Sequence, residues 1–200
     1  VPEAIALLEF DSVAAGILAG DAMVKRGPVA EVVTGTVHPG RYLVLVTGDV
    51  AAVHEAVDAG RAASLASIVD QVVLPDVHPT VVDAIRGGRR SPAGEALGVI
   101  ETTTVAAVIE AADAGVKGAE VSLLELHLAD GLGGKAYALF SGSVSDVEVA
   151  VAGGVARIAP DRLVGSVVIS RLHDELGDNI FDAHRFGDRL GWFGGHDAAG

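Results

Sequence analysis

Cysteine is absent from the 200 residues. Its absence excludes disulfides, thiolate metal sites, all-cysteine iron–sulfur ligation and a cysteine nucleophile. Aromatic residues are scarce, at 4%. Basic residues are also few: 14 Lys and Arg face 27 Asp and Glu, for a net charge of −13. A protein that binds nucleic acid needs a basic face to displace counterions from phosphates, so no nucleic-acid partner is expected. No charge-free apolar run reaches about 18 residues, so no membrane span is expected. Val1-Pro2-Glu3 lacks a basic region followed by an apolar block, so no signal peptide is expected, and the absence of cysteine is compatible with the cytosol.

What is present is small and apolar. Half of the chain is hydrophobic and 26 residues are glycine, with Ala, Val, Leu and Ile supplying most of the rest. Such side chains let helices and sheets approach closely and suit flat packing surfaces.

The chain repeats itself. Ala4–Lys25 lies over Ala96–Lys117 without a gap, and 11 of 22 positions are identical, among them Glu9/Glu101, Val13/Val105, Asp21/Asp113 and Lys25/Lys117. After a two-residue insertion in the second copy, Tyr42–Val53 matches Ala136–Val147. One residue further out of step, Leu74–His78 matches Ile169–His173. Residues 1–87 carry 11 acids and 5 bases, and residues 93–176 carry 12 and 5, so the halves also share their charge balance. Gly87-Gly88-Arg89-Arg90-Ser91-Pro92 reads as the connection. The expected boundaries are a first domain over 1–87, a linker over 88–94, a second domain over 95–176 and an extension over 177–200.

Each half reads in the same order. A short apolar strand (Ala4–Leu8, Leu97–Ile100) meets a capping cluster, Asp11-Ser12 or Thr102–Thr104, whose oxygens can accept early helix N–H groups. The helix ends near Lys25 or Lys117. Two β-rich runs follow, Glu31–Val37 and Tyr42–Val46, then Val121–Leu128 and Lys135–Phe140 in the second half. Gly48 or Gly142 turns the chain into a second helix, on which Val50, Val53, Val57 and Gly60 share one face. A last strand (Gln71–Leu74, Leu163–Ile169) closes the unit. The order β-α-β-β-α-β is the split βαβ, ferredoxin-like pattern, so the fold class is α+β with two tandem copies.

That fold hosts many functions. Three segments narrow it: Ala111-Ala112-Asp113-Ala114-Gly115-Val116-Lys117, Gly142-Ser143-Val144-Ser145-Asp146-Val147, and the ending Ile169–His173. Together they resemble the bacterial microcompartment shell domain, over about 170 residues as two copies in unpermuted order. The resemblance implies a structural shell protein and no enzyme. It implies a homotrimer that mimics a hexamer, tiles with other microcompartment shell proteins around encapsulated enzymes in the cytoplasm, and passes small metabolites through a central pore. Three tandem chains give six quasi-equivalent wedges about one axis. It places Lys25, Lys117, His78, Arg171 and His173 at the tile edge. Asp76 stands where the family's edge Arg falls in the first copy, while the second keeps Arg171. Val77 and Leu172 replace the proline before histidine. The tiling contacts are therefore expected mainly on the second domain.

The same resemblance assigns the pore to the loops between the second and third strands. These hold His38, Pro39, Gly40 and Arg41 in the first copy, and Leu132, Gly133, Gly134 and Lys135 in the second. Glycine permits the tight backbone such a ring needs. Read without the resemblance, Pro-Gly and Gly-Gly make turns. His38-Pro39-Gly40-Arg41 is similar to the Cys-Pro-Gly-Lys loop of a propanediol-utilisation type of tandem shell protein, where three cysteines hold an iron–sulfur cluster. Here His38 stands in the cysteine's place. No cofactor is expected, although three imidazoles on an axis can bind a metal or an anion. Arg41 is expected to add positive charge at the mouth.

Other residues read more plainly. Glu9 and Glu101 end matching strands and are structural. His54 is a surface or boundary helix residue. Gly131-Leu132-Gly133-Gly134 precedes no helix and fails the dinucleotide-loop context. The extension holds Phe181, Phe186, Trp192 and Phe193, a set expected to pack on its own protomer or a neighbour, with cargo docking as the sharper role. Two further functions remain open from sequence: a shell-embedded metal or electron-transfer protein built on a His38 ring, and a small-ligand regulatory protein of ferredoxin-like fold.

Overall fold

The computed structural model describes residues 3–182. Its first half runs β1 (Ala4–Phe10), α1 (Val13–Arg26), β2 (Glu31–Val37), β3 (Arg41–Gly48), α2 (Val50–Ser64) and β4 (Ile68–Leu74), followed by a short helix α3 (Pro79–Ile85). The second half repeats this as β5 (Ala96–Thr102), α4 (Val105–Gly118), β6 (Ser122–Leu128), β7 (Ala136–Gly142), α5 (Val144–Arg157), β8 (Leu163–Ile169) and α6 (Asp174–Asp182). The sheets have the orders β2-β3-β1-β4 and β6-β7-β5-β8, antiparallel throughout. This is the ferredoxin-like topology, twice. Even the irregularities repeat: the register shifts at Glu9/Phe10 between β1 and β4, and at Glu101/Thr102 between β5 and β8. Among the described residues, no helix is long and apolar enough to cross a membrane.

The caps form where the sequence puts side-chain oxygens. Ser12 accepts from the Ala15 amide at 3.3 Å and Thr104 from Ala107 at 3.4 Å; Asp49 and Ser143 do the same for α2 and α5. Each satisfies one of the amides that a helix start leaves without an intrahelical partner.

All seven residues of β1 are buried, because both of its faces are covered. Ala4, Ala6, Leu8 and Phe10 face α1 and α2, packing with Ala19, Met23 and Val57. Ile5 and Leu7 face the other way, and with Val72, Leu74 and Val81 they merge into the core built around Ile100, Val108 and Ile109. The back of the first sheet thus packs on the second half. The two halves share one apolar cluster instead of hanging from a tether.

The connection is likewise held down. Arg90 N–H donates to the Leu124 carbonyl at 3.0 Å, and the Arg89 guanidinium reaches the Glu125 carboxylate at 3.1 Å. Two helices extend the reading from sequence. Helix α3 begins with His78, whose Nδ1 accepts from the Thr80 amide at 3.2 Å, followed by Pro79 in the first turn. It ends at Ile85, and Gly87, just past its cap residue Arg86, has φ +84°. Helix α6 starts at Asp174 and runs through the 176/177 boundary expected from sequence, so the repeated unit continues past its last strand. Phe181 packs with Leu97 and Leu139 on the back of the second sheet. Phe186, Trp192 and Phe193 lie outside the described residues.

Candidate functional site

The two loops singled out from sequence come from different halves and lie side by side. His38 Nδ1 is 3.9 Å from Asp130 Oδ1, and both side chains are exposed. A Cβ added to Gly134 would lie 2.9 Å from Pro39 Cδ. The first loop is a tight turn closed by Gly40 N–H to the Val37 carbonyl at 2.9 Å, with Gly40 at φ +104°. The second has a run of left-handed residues: Ala129 at +57°, Gly131 at +77°, Gly133 at +63° and Gly134 at +87°. Side chains with a Cβ rarely adopt such angles, which accounts for three glycines in four positions. The His38 side chain is 78% exposed. Among the described residues, no three His, Cys, Asp or Glu side chains of one chain gather as a metal would require.

The structure revises one expectation at this loop. Arg41 does not bring free positive charge to the mouth. Its guanidinium bonds the Glu9 carboxylate at 2.5 Å and the Thr103 carbonyl at 3.0 Å. Glu9 is fully buried, and its second oxygen accepts the Val105 amide at 2.9 Å, the first residue of α4. A strand of the first half thus caps a helix of the second, where a carboxylate also meets the positive end of the helix dipole. Burial raises the Glu9 carboxyl above the usual range, and Arg41 and the Val105 amide pull it back. Lys135, the repeat partner of Arg41, pairs with Glu101 at 2.6 Å, but this pair is half-exposed.

More bonds cross the same junction. Thr104 Oγ1 meets Asp70 Oδ2 at 2.5 Å, and Arg162 donates to the Val69 carbonyl at 2.9 Å while lying 3.6 Å from Asp70. Further along α4, Asp113 accepts the His78 amide at 2.8 Å, and Lys117 bonds both Asp113 and the Asp76 carbonyl. His78 and Lys117 therefore meet at one end of the junction. Lys25 is exposed and pairs with Asp21 at 2.6 Å; Arg171 and His173 are exposed.

One cluster was not foreseen. Buried Glu125 accepts from the Tyr137 hydroxyl at 3.2 Å; His127 stacks on Tyr137 at 5.2 Å between ring centroids and reaches the Asp130 carbonyl at 2.8 Å. The hydrogen bond to Glu125 raises the His127 pKa against burial, and burial with the Glu125 charge raises that of Tyr137. In the first half, pairing register puts Val33, Gly35 and Leu43 at these places. The cluster has no echo in the repeat, so self-comparison of the sequence cannot find it.

Comparison with known proteins agrees with this architecture. The BMC domain family model matches twice, over residues 4–77 and 96–172. The bacterial microcompartment shell protein PduT of Citrobacter freundii is 44% identical over 149 residues, which cover 74% of this chain and 81% of that protein. The carboxysome shell protein CcmK1 of Thermosynechococcus vestitus is 37% identical over 84 residues, 40% of this chain and 73% of that protein. A crystal structure of a microcompartment protein from Desulfitobacterium hafniense superposes with a TM-score of 0.76 at 42% identity, covering 88% of this chain and 98% of that one. A fused permuted hexameric shell protein shares the fold alone, with a TM-score of 0.54 at 20% identity. The relatives are shell components and not enzymes, and with both halves matched the chain belongs to the BMC domain family as a tandem-domain bacterial microcompartment shell protein.

Proposed function

We propose that this chain is a trimeric shell tile whose six loops, two from each chain, surround a central pore for small metabolites in a cytoplasmic microcompartment. The observation that carries this reading is the adjacency of the His38 and Gly134 loops at one end of the molecule. Three copies of such a pair about an axis make a ring. The ring's charge is set by His38 and Asp130, because Arg41 and Lys135 are each paired with a glutamate. Other shell proteins at the rim and enzymes within are the partners this role requires. Light scattering tests it: a mass of about 60 kDa is expected, three times the 20.2 kDa chain. A monomer at micromolar concentration would end the reading.

The rim is assigned to Lys25, Lys117, Arg171, His173 and His78. Replacing Lys25 with Ala is expected to leave trimers intact while weakening two-dimensional sheets in electron micrographs, since an edge contact recurs across the layer. Unchanged sheets would reduce Lys25 to a solvated helix end.

A second reading, a metal held by three His38 side chains, draws support from the exposed imidazole beside a carboxylate. An iron–sulfur cluster does not fit, because no thiolate is available. Metal analysis of the trimer and of His38→Ala decides it: equal metal content in both would remove it.

A further inference from the structure

The backs of the two sheets are the same surface with different contents. On the second sheet the rings of Tyr137 and His127 stack at 5.2 Å between centroids, and Ile180 and Phe181 of α6 pack on the same back. Pairing register puts Leu43 opposite Gly35 where Tyr137 stands opposite His127. The first half therefore has no ring at either place, and the space stays open. It forms a cavity of about 330 Å³ between the back of the first sheet and α3. Gly35 leads straight into it, since a Cβ there meets nothing within 4 Å.

The walls are aliphatic. Leu7, Leu43 and Leu45 line the sheet side, and Val82 and Ile85 line it from α3. At one end of β2, Glu31 bonds Arg86 at 2.7 Å, so both charges there are already paired. Val37 and Leu128 line the other end. Val33, 54% exposed, marks where the cavity meets solvent along β2.

These walls select the occupant. A water molecule needs two to four polar partners, and aliphatic carbons supply none. A charged molecule would give up its hydration without finding a free counter-charge. Apolar cavities of about 150 Å³ stay dry and take up benzene, so this one has room for roughly two rings. We infer that the cavity binds a compact, uncharged, apolar molecule of about two fused rings, or the equivalent aliphatic bulk, in the space that Tyr137 and His127 fill on the second sheet. Thr47, at the Glu31 end, offers a hydroxyl to one polar group on it. Because Val37 precedes His38 and Leu128 precedes Ala129, an occupant bears on the roots of both loops.

The cavity is complete within one chain, so the test does not depend on the trimer reading and uses the protein as it assembles. Prodan, an uncharged dye of two fused rings whose emission moves to the blue in apolar surroundings, is titrated into the wild type. Saturable binding is expected. Gly35→Phe puts a ring into the open space, and Leu43→Tyr gives the first sheet the residue of the second. Each is expected to weaken dye binding at least about tenfold, as removal of the apolar surface it would bury requires. Naphthalenesulfonate, the same rings with a charge, is expected to bind at least about tenfold more weakly than prodan. Hydrogen exchange on the wild type locates the dye without any substitution: β2 and α3 are expected to exchange more slowly when it is saturated. Absence of saturable binding, binding unchanged in variants that melt like the wild type, or saturation that leaves exchange of β2 and α3 unaltered would each overturn the site. Equal binding of naphthalenesulfonate would overturn the uncharged class of ligand.

Discussion

Helices α1 and α4 descend from one sequence and end in different surroundings. Both start from a capping oxygen, and both carry Asp and Lys four residues apart near their ends. Yet α4 buries nine residues and α1 four, since only α4 has another domain on its outer face. The difference shows that the repeated helix keeps an apolar outer face whether or not its own chain covers it. Exposed Ile17 looks out of place on a single chain and matches fully buried Ile109, while exposed Leu18 stands where α4 carries the partly exposed Glu110.

The comparison can be broken most forcefully at the two glutamate pairs. Arg41→Ala leaves Glu9 buried without its cation and is expected to cost about 3–5 kcal/mol in urea unfolding. Lys135→Ala at the matching place, measured on dissociated chains, is expected to cost under about 1 kcal/mol, as exposed pairs do. Equal costs would mean that the two junction ends are not covered differently.

A subtler version uses one methyl group. Ile109→Val trims a fully buried side chain and is expected to destabilise the chain by about 0.5–1.5 kcal/mol. Ile17→Val on dissociated chains should stay within about 0.5 kcal/mol. A large effect of Ile17→Val there would show that α1 is covered by its own chain.

The smallest expected effect sharpens a difference on the sheet backs. His127 has a raised pKa from its bond to Glu125, and the first half has Gly35 in its place. A raised histidine value means that the folded state holds the proton more tightly than the unfolded chain. Its contribution is therefore fully present below the ordinary imidazole pKa and is lost as pH rises through the raised value. Melting temperature should fall across that window, and His127→Gln should flatten the fall. The same slope in the variant would move its origin elsewhere.

Much of this fold is legible in the sequence, for a physical reason. A duplicated unit writes each strand and helix twice, so chance apolar runs in one half are filtered by the other. All eight strands of the two sheets and the four longer helices fall where the repeat places them. Helix α3 was missed although its ends are marked, with Pro79 at the start and Gly87 past the end, the asymmetry that helices favour. The loop pair was legible as turns, and its glycines stand at left-handed angles. The partner of Arg41 was not legible. Glu9 is 32 residues away, and although the pair recurs as Glu101–Lys135, its burial depends on the second half, which no local pattern encodes. The Glu125–His127–Tyr137 cluster escaped because it breaks the repeat.

Hydrogen exchange at the two helix starts tests the central claim most directly. The Val105 amide is capped by Glu9 within the chain, whereas Val13, at the matching start of α1, is exposed on the single chain. At concentrations that hold the trimer, the peptide spanning residues 11–18 is expected to exchange as slowly as that spanning 103–110. On dilution below assembly, the first should speed up while the second stays protected. Fast exchange over 11–18 at every concentration, in a protein that still scatters as a trimer, would contradict the account.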